Sequence, residues 1–344
     1  MPRTAVVVCP GRGTYGKEEL GYLKRHHASS MPLFSEFDAI RAEDNQASVI
    51  ELDAADRFSL GRYSRGDISS PLIYASSLCD AQALADDIEV VAVTGNSMGW
   101  YIALAVAGAL SATDGFRVVN TMGTLMQEHL IGGQLIYPFV NSEWEDDPAK
   151  RQSLLTDVAA INEAPDCVLG LSIELGGMLV LAGNEVGLKR FEETQPQLQD
   201  RFPMRLPNHA AFHTSLQAPV AEAGQHALRD VDFAQPTKPM VDGRGHTWWP
   251  NATDADALLD YTLGHQVTEP YDFTAAVQAA AKEFAPDLFI ITGPGATLGG
   301  AVAQSLILCQ WRGMTSKADF QDLQRTAPVV ASMGMADQRV WVTN

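Results

Sequence analysis

The sequence predicts an α/β fold: a parallel-sheet core into which a small ferredoxin-like (βαββαβ) subdomain is inserted. Three observations carry this. The apolar runs TAVVVCP (4–10), VVAVTG (90–95) and DLFIITGPG (287–295) are short and each meets a glycine-containing turn. Helical patterns separate them, as expected for strands buried on both faces and joined by crossovers. Between about 132 and 206 the rhythm changes to β-α-β-β-α-β.

Taken in order, TAVVVCP is a buried first strand running into the Gly-rich turn GRGTYG (11–16). Residues 17–90 read as mostly helical, with polar interruptions such as SRGDISSP. VVAVTG is the second strand, and YIALAVAGAL begins a long helix after it. In the insert, QLIYPFV reads as a strand, PAKRQSLLTDVAAI as a helix, and VLGLSIEL with MLVLAG as a hairpin around Gly176-Gly177. EVGLKRFEET is then helical and RFPMRLP extended. The division is therefore 1–131 and 207–344 for the large subdomain, 132–206 for the small one. After 207, a helix around 215–230, the segment KPMVDGRG and a further helix lead to the third strand. The turns near 11, 95 and 293 should converge at the carboxyl ends of strands, where open α/β sheets bind ligands.

With 344 residues the chain can form one large domain, or a domain carrying an insert. Its four cysteines (Cys9, Cys79, Cys167, Cys309) lack CxxC spacing, which argues against a zinc site and fits a reducing compartment. The first apolar run breaks at Cys-Pro-Gly, short of the roughly 7–15 residues of a signal core or the about 20 of a membrane span. The expectation is a cytoplasmic protein. A net charge of −18 disfavours sequence-independent nucleic-acid binding and attraction to anionic membranes.

The chemistry centres on GNSMG (95–99), a G-x-S-x-G pattern with a strand before it and a helix after it. That context marks a nucleophile elbow, giving the core a hydrolase-like cast. The following helix would aim its N-terminal N–H groups at developing negative charge. The same residues also describe an ordinary N-cap serine, so Ser97 is a nucleophile or a cap on this evidence. A serine nucleophile needs a base. Of eight histidines, His26, His27, His129 and His226 lie in polar or helical stretches. His213, in NHAAFHTSLQAP, closes a loop before a helix and is the candidate, with His209 its local rival. GPGATLGG lacks the lysine of a phosphate loop, and no metal, nucleotide or flavin site is apparent.

In these segments the chain resembles the malonyl-CoA:acyl-carrier-protein transacylase family, including polyketide synthase acyltransferase domains. The likeness runs from about residue 5 to 305. VVVCPGRGTYG resembles the family's FPGQGSQ opening, GNSMGWYIALAVAGALS its GHSLGEYSAL-type elbow, and AAFHTSLQAP its GAFHSPLM-type loop. KPMVDGRG, GHQVTEPYDF and FIITGPGATLGG follow in family order. The resemblance implies Ser97 as acyl-accepting nucleophile and His213 as base, with His213 oriented by backbone carbonyls near Asp242 and Gly243. It implies an oxyanion hole from the backbone N–H groups of Met98 and Arg12. It also implies a discrete monomer without a bound cofactor, acting on acyl-CoA and an acyl carrier protein.

The chain departs from the family at its acyl pocket. Asn96 replaces a histidine beside the nucleophile, and Trp100 replaces a glutamate at the helix start. In NTMGTLMQEH, Met122 stands where the family has the arginine that pairs with a malonyl carboxylate. Arg117 matches a different, structural arginine. Ser70 stands where glutamine is common, and Phe212 adjoins the histidine. The expected pocket, with Met122, Trp100, Phe212 and Ser70 in its wall, is therefore less polar and suited to a non-carboxylated acyl group. An acyl-thioester hydrolase, a malonyl transferase with an altered carboxylate site and a non-catalytic synthase subunit remain as alternatives. Since carrier proteins are acidic, docking should need a basic patch, for which Lys150-Arg151, Lys189-Arg190, Arg201 and Arg205 are candidates.

Overall fold

Val6, Val7 and Val8 have no solvent exposure because β1 (Arg3–Cys9) lies inside a sheet covered on both faces. The computed structural model describes residues 2–344. β1 pairs in parallel with β2 (Ile88–Gly95) on one side and β10 (Leu288–Ile291) on the other. β11 (Val330–Ser332) extends the sheet beyond β10, also in parallel. Beyond β2 come β7 (Met240–Val241) and β8 (Thr247–Trp248), which form an antiparallel hairpin from the KPMVDGRG region. The three apolar runs therefore occupy neighbouring central strands, and their glycine turns do meet. A Cβ on Gly11 would touch the Asn96 carbonyl at 2.8 Å, and one on Gly293 would reach Pro10 at 2.9 Å.

The second sheet contains β3 (Gly133–Pro138), β4 (Leu169–Leu175), β5 (Met178–Gly183) and β6 (Met204–Arg205). Their order is β6-β3-β5-β4, with helices Pro148–Asn162 and Glu185–Thr194 as crossovers, which is the ferredoxin-like arrangement. A fifth strand, β9 (Tyr271–Asp272), joins β4 in parallel from far outside the insert. The tip of the β4–β5 hairpin is also anchored across this boundary. Gly176 N–H donates to Thr274 Oγ1 at 2.8 Å, and Gly177 N–H to Gln304 Oε1 at 3.0 Å.

One expectation changes. The long helix after β2 is two helices, Gly99–Val106 and Ala112–His129. Gly108 takes a φ of +77° between them, and Ser111 caps the second by accepting the Asp114 N–H. The apolar run YIALAVAGAL continues into this break, to the buried Ala109 and Leu110, so hydrophobicity alone could not mark where the first helix ends.

Behind the glycine turns, the fully buried carboxylate of Asp80 gathers distant segments. It accepts from Tyr22 OH (2.8 Å) and the Gly293 N–H (2.8 Å), and meets His27 Nε2 at 2.7 Å and Arg339 Nη2 at 2.8 Å. Burial opposes its ionisation, but the His27 hydrogen bond and the Arg339 charge outweigh that and hold its pKa below the ordinary carboxylate value. Asp80→Ala would leave Arg339 nearly buried without its partner, at an expected loss of about 3–5 kcal/mol in urea unfolding. The depressed pKa adds stability that is present above the unfolded carboxylate's value and lost as pH falls through the folded one. The acid arm of the stability curve should therefore be shallower in Asp80→Ala than in the wild type.

Candidate active site

Ser97 follows β2 directly and sits in the left-handed region, with a φ of +55°. That conformation costs a non-glycine residue of order 1–3 kcal/mol, and a capping serine has no need of it. Its neighbours enforce it. A Cβ on Gly95 would collide with the Gly99 backbone, and one on Gly99 with the Cys9 carbonyl. The chain can turn this sharply only with glycine at both places, and the turn lifts Ser97 off the end of the sheet.

His213 lies on the loop before helix Ala218–Ala227, with no solvent exposure and a φ of +61°. Its Nε2 is 2.7 Å from Ser97 Oγ, and its Nδ1 is 2.6 Å from the Gln266 carbonyl. A carbonyl only accepts, so Nδ1 carries the proton and Nε2 offers its lone pair to the Ser97 hydroxyl. Burial lowers the imidazole pKa to about 4, although the Gln266 carbonyl pulls the other way. The ring is thus neutral at physiological pH and able to take the Ser97 proton.

Gln266, not the Asp242–Gly243 segment, orients His213, which corrects the expectation drawn from the sequence. Asp242 is consumed in closing the β7–β8 hairpin, accepting from Arg244 Nη2 at 2.6 Å and Trp248 Nε1 at 2.9 Å. Gly243 lies against the Tyr271 ring, and its carbonyl accepts the Asp272 N–H at 2.6 Å, not a proton from His213. Tyr271 in turn packs beside His213, with ring centroids 5.3 Å apart, and donates its hydroxyl to the Gly95 carbonyl. Gln266 does more than hold the histidine. Its side chain donates to the Ser97 carbonyl (3.1 Å) and accepts from Tyr101 OH (2.9 Å). It lies in the GHQVTEPYDF segment, but nothing in that pattern distinguishes a residue used mainly for its carbonyl.

Ser97 opens onto a cavity of about 600 Å³ between the two sheets. Met98 and Arg12 line it, and among the described residues neither backbone N–H is taken by another acceptor. Both are therefore free to receive negative charge on an oxygen bound beside Ser97. The Arg12 side chain donates to the Asn208 carbonyl at 2.9 Å, and burial lowers its pKa to about 10, which leaves it charged.

Met122, Ser70 and Phe212 line the cavity as expected, and Met122 is almost fully buried. Trp100 does not. Its indole points away to donate to Thr262 Oγ1 at 3.0 Å and pack edge-on against Tyr261. The next residue on the helix, Tyr101, faces the cavity instead. Ser70 Oγ and Asn96 Oδ1 are buried without a hydrogen-bond partner. His209 also lines the cavity, but its Nδ1 is held by Gln134 Oε1 at 2.9 Å and it does not bond Ser97. Burial and the nearby Arg12 charge push its pKa well below the ordinary value. No cluster of metal-binding side chains is present among the described residues.

Three of the six cations expected to form a basic patch are paired with carboxylates. Arg151 pairs with Glu174, Arg205 with both Glu185 and Glu192, and Lys189 with Glu193 at 3.8 Å.

No protein-family model matches the chain. A malonyl CoA-acyl carrier protein transacylase of Mycobacterium bovis is 26% identical over 260 residues, covering 74% of this chain and 80% of that one. Over most of its length the chain is thus similar in sequence to malonyl-CoA:acyl-carrier-protein transacylases. Its fold agrees. The transacylase structure from Xanthomonas oryzae superposes with a TM-score of 0.76 at 19% identity, covering 98% of this chain and 97% of that one. A type II polyketide synthase acyl-carrier protein in complex with its malonyl-transacylase gives a TM-score of 0.73 at 18% identity, with 98% of each chain covered.

The pairing makes two measurable statements. Labelling of Ser97 by a fluorophosphonate should persist to about pH 5 and decline only as His213 protonates near its pKa of about 4. Below that value the imidazolium cannot accept the serine proton. His213→Ala should slow labelling by about 10²–10⁴-fold across the range.

Proposed function

We propose that the protein is a serine acyltransferase that moves an acyl group from a CoA thioester to the phosphopantetheine thiol of an acyl carrier protein. The observation that carries this is the Ser97–His213–Gln266 carbonyl chain at the floor of a cavity with two free backbone N–H groups. In the first half-reaction Ser97 Oγ attacks the thioester carbonyl while His213 Nε2 takes its proton. The oxyanion gathers on the Met98 and Arg12 N–H groups. The C–S bond then breaks, His213 returns the proton to the departing CoA thiolate, and an acyl-Ser97 ester remains. In the second half the carrier thiol gives its proton to His213 and its sulfur attacks the ester. The C–O bond to Ser97 then breaks, His213 returns that proton to Ser97 Oγ, and the acyl group leaves as the carrier thioester. The relatives named above, one of them bound to a carrier protein, support the choice of acceptor.

The acyl group in this reading is non-carboxylated. Met122 cannot pair with a carboxylate, and a buried unpaired charge costs several kcal/mol, about 3–5 when one partner of a buried pair is missing. Arg12 is the cation lining the cavity among the described residues, and it already serves the Asn208 carbonyl.

Intact-mass measurement after incubation with acetyl-, longer acyl- or malonyl-CoA tests both levels, with Ser97→Ala as control. The expected result is a Ser97-dependent adduct from non-carboxylated donors alone, discharged when holo acyl carrier protein is added. A stable malonyl adduct overturns the substrate assignment and turns attention to Arg12. Discharge to free acid at the same rate without the carrier protein makes the enzyme a thioester hydrolase. No adduct from CoA or carrier-bound donors, and no turnover, ends the catalytic reading.

A further inference from the structure

Helix Ala218–Ala227 carries a glycine in its buried interior, Gly224, where alanine would favour the helix. The bare Cα has a clear use. A Cβ placed on it would lie 2.6 Å from Met122 Sδ and 3.3 Å from Met122 Cε. Met122 itself lines the cavity shared with Ser97. The end of its side chain thus lodges in the notch that Gly224 leaves, and the cavity is open space beside it.

The cavity that Met122 borders is mostly apolar, and as a whole, entry included, it measures about 600 Å³. Val119 and Met126, about a turn to either side of Met122, continue its apolar wall along the helix, and Ile136 and Val180 add apolar lining from the small sheet. No charged side chain projects from that part of it.

We propose that Gly224 sets the length of acyl group the enzyme accepts, keeping the Met122 thioether withdrawn so that an unbranched aliphatic chain of several carbons fits. This rests on the acyl-transfer reading above. Gly224 acts as a positioning residue through Met122 and touches no reacting atom. Burying each further methylene favours binding by about fourfold, so the preference should climb with length until the wall is met.

The test is the kcat/KM for Ser97 acylation with acetyl-, butyryl-, hexanoyl- and octanoyl-CoA, in the wild type, Gly224→Ala, Met122→Ala and the double variant. The wild type should use hexanoyl-CoA at least tenfold better than acetyl-CoA. Gly224→Ala should reduce that hexanoyl-to-acetyl ratio at least tenfold, because its methyl drives the thioether into the cavity. The ratio is independent of the fraction of active enzyme, so a loss of folded protein cannot imitate the effect. The double variant should recover the ratio, and Met122→Ala alone should shift the optimum toward octanoyl-CoA. Three results would overturn the proposal while leaving acyl transfer intact: a wild type that prefers acetyl, an unchanged ratio in Gly224→Ala, or a double variant that fails to recover. Absence of acylation by every donor in every variant would overturn the acyl-transfer reading and this proposal with it.

Discussion

The hydrogen bond between His213 Nδ1 and the Gln266 carbonyl is the constraint from which the chemistry of this site follows. It fixes the tautomer, so that the free lone pair of the ring faces Ser97. It does so without a carboxylate, so the imidazolium formed on proton transfer has no buried counter-charge beside it. Burial and the missing carboxylate together keep the histidine a weak base, with a pKa of about 4. A weak base gives up its proton readily to a departing thiolate. Gln266 also holds the Ser97 carbonyl with its side chain, so one residue sets both partners of the 2.7 Å contact.

That geometry depends on how two sheets are joined. β9 gives the small sheet a strand that carries Tyr271, and Tyr271 packs on His213. The β4–β5 hairpin tip is tied to Thr274 and Gln304 on the large sheet's helices. The insert is therefore fastened at its edge and at its tip, and the cavity between the sheets inherits that rigidity. Asp80 plays the corresponding part behind the glycine turns, joining the chain's two ends to the Gly293 backbone.

The cavity divides into a polar end and an apolar body. The polar end holds Ser97, the free N–H groups of Met98 and Arg12, and the unpartnered oxygen of Asn96. The body is dominated by thioether and branched aliphatic side chains, with Ser70 Oγ as an isolated unpartnered oxygen. Such a division gathers the hydrogen-bonding groups around Ser97 and leaves apolar surface to line the remainder. Met122 sits in the apolar body, almost fully buried, and brings no charge to it.

The sequence by itself determined the central strands, the βαββαβ insert, the elbow serine and the histidine loop. Each of these is written locally, in apolar runs, glycine positions and short motifs whose geometry depends on near neighbours. GNSMG shows its tight turn because the glycines are needed within five residues of chain. Tertiary structure alone decided which carbonyl meets His213, which way Trp100 points and which cations are free. Asp242 and Gln266 both lie in segments that follow the histidine, and only packing shows that Asp242 is spent on Arg244 and Trp248. Trp100 and Tyr101 are adjacent aromatic residues on one helix, and the pattern does not reveal which of them finds Thr262. Likewise Arg151 and Arg205 look free until the fold brings Glu174 and Glu192 beside them. Hydrogen bonds and ion pairs between distant segments have no signature along the chain, because their partners are chosen by the three-dimensional path between them.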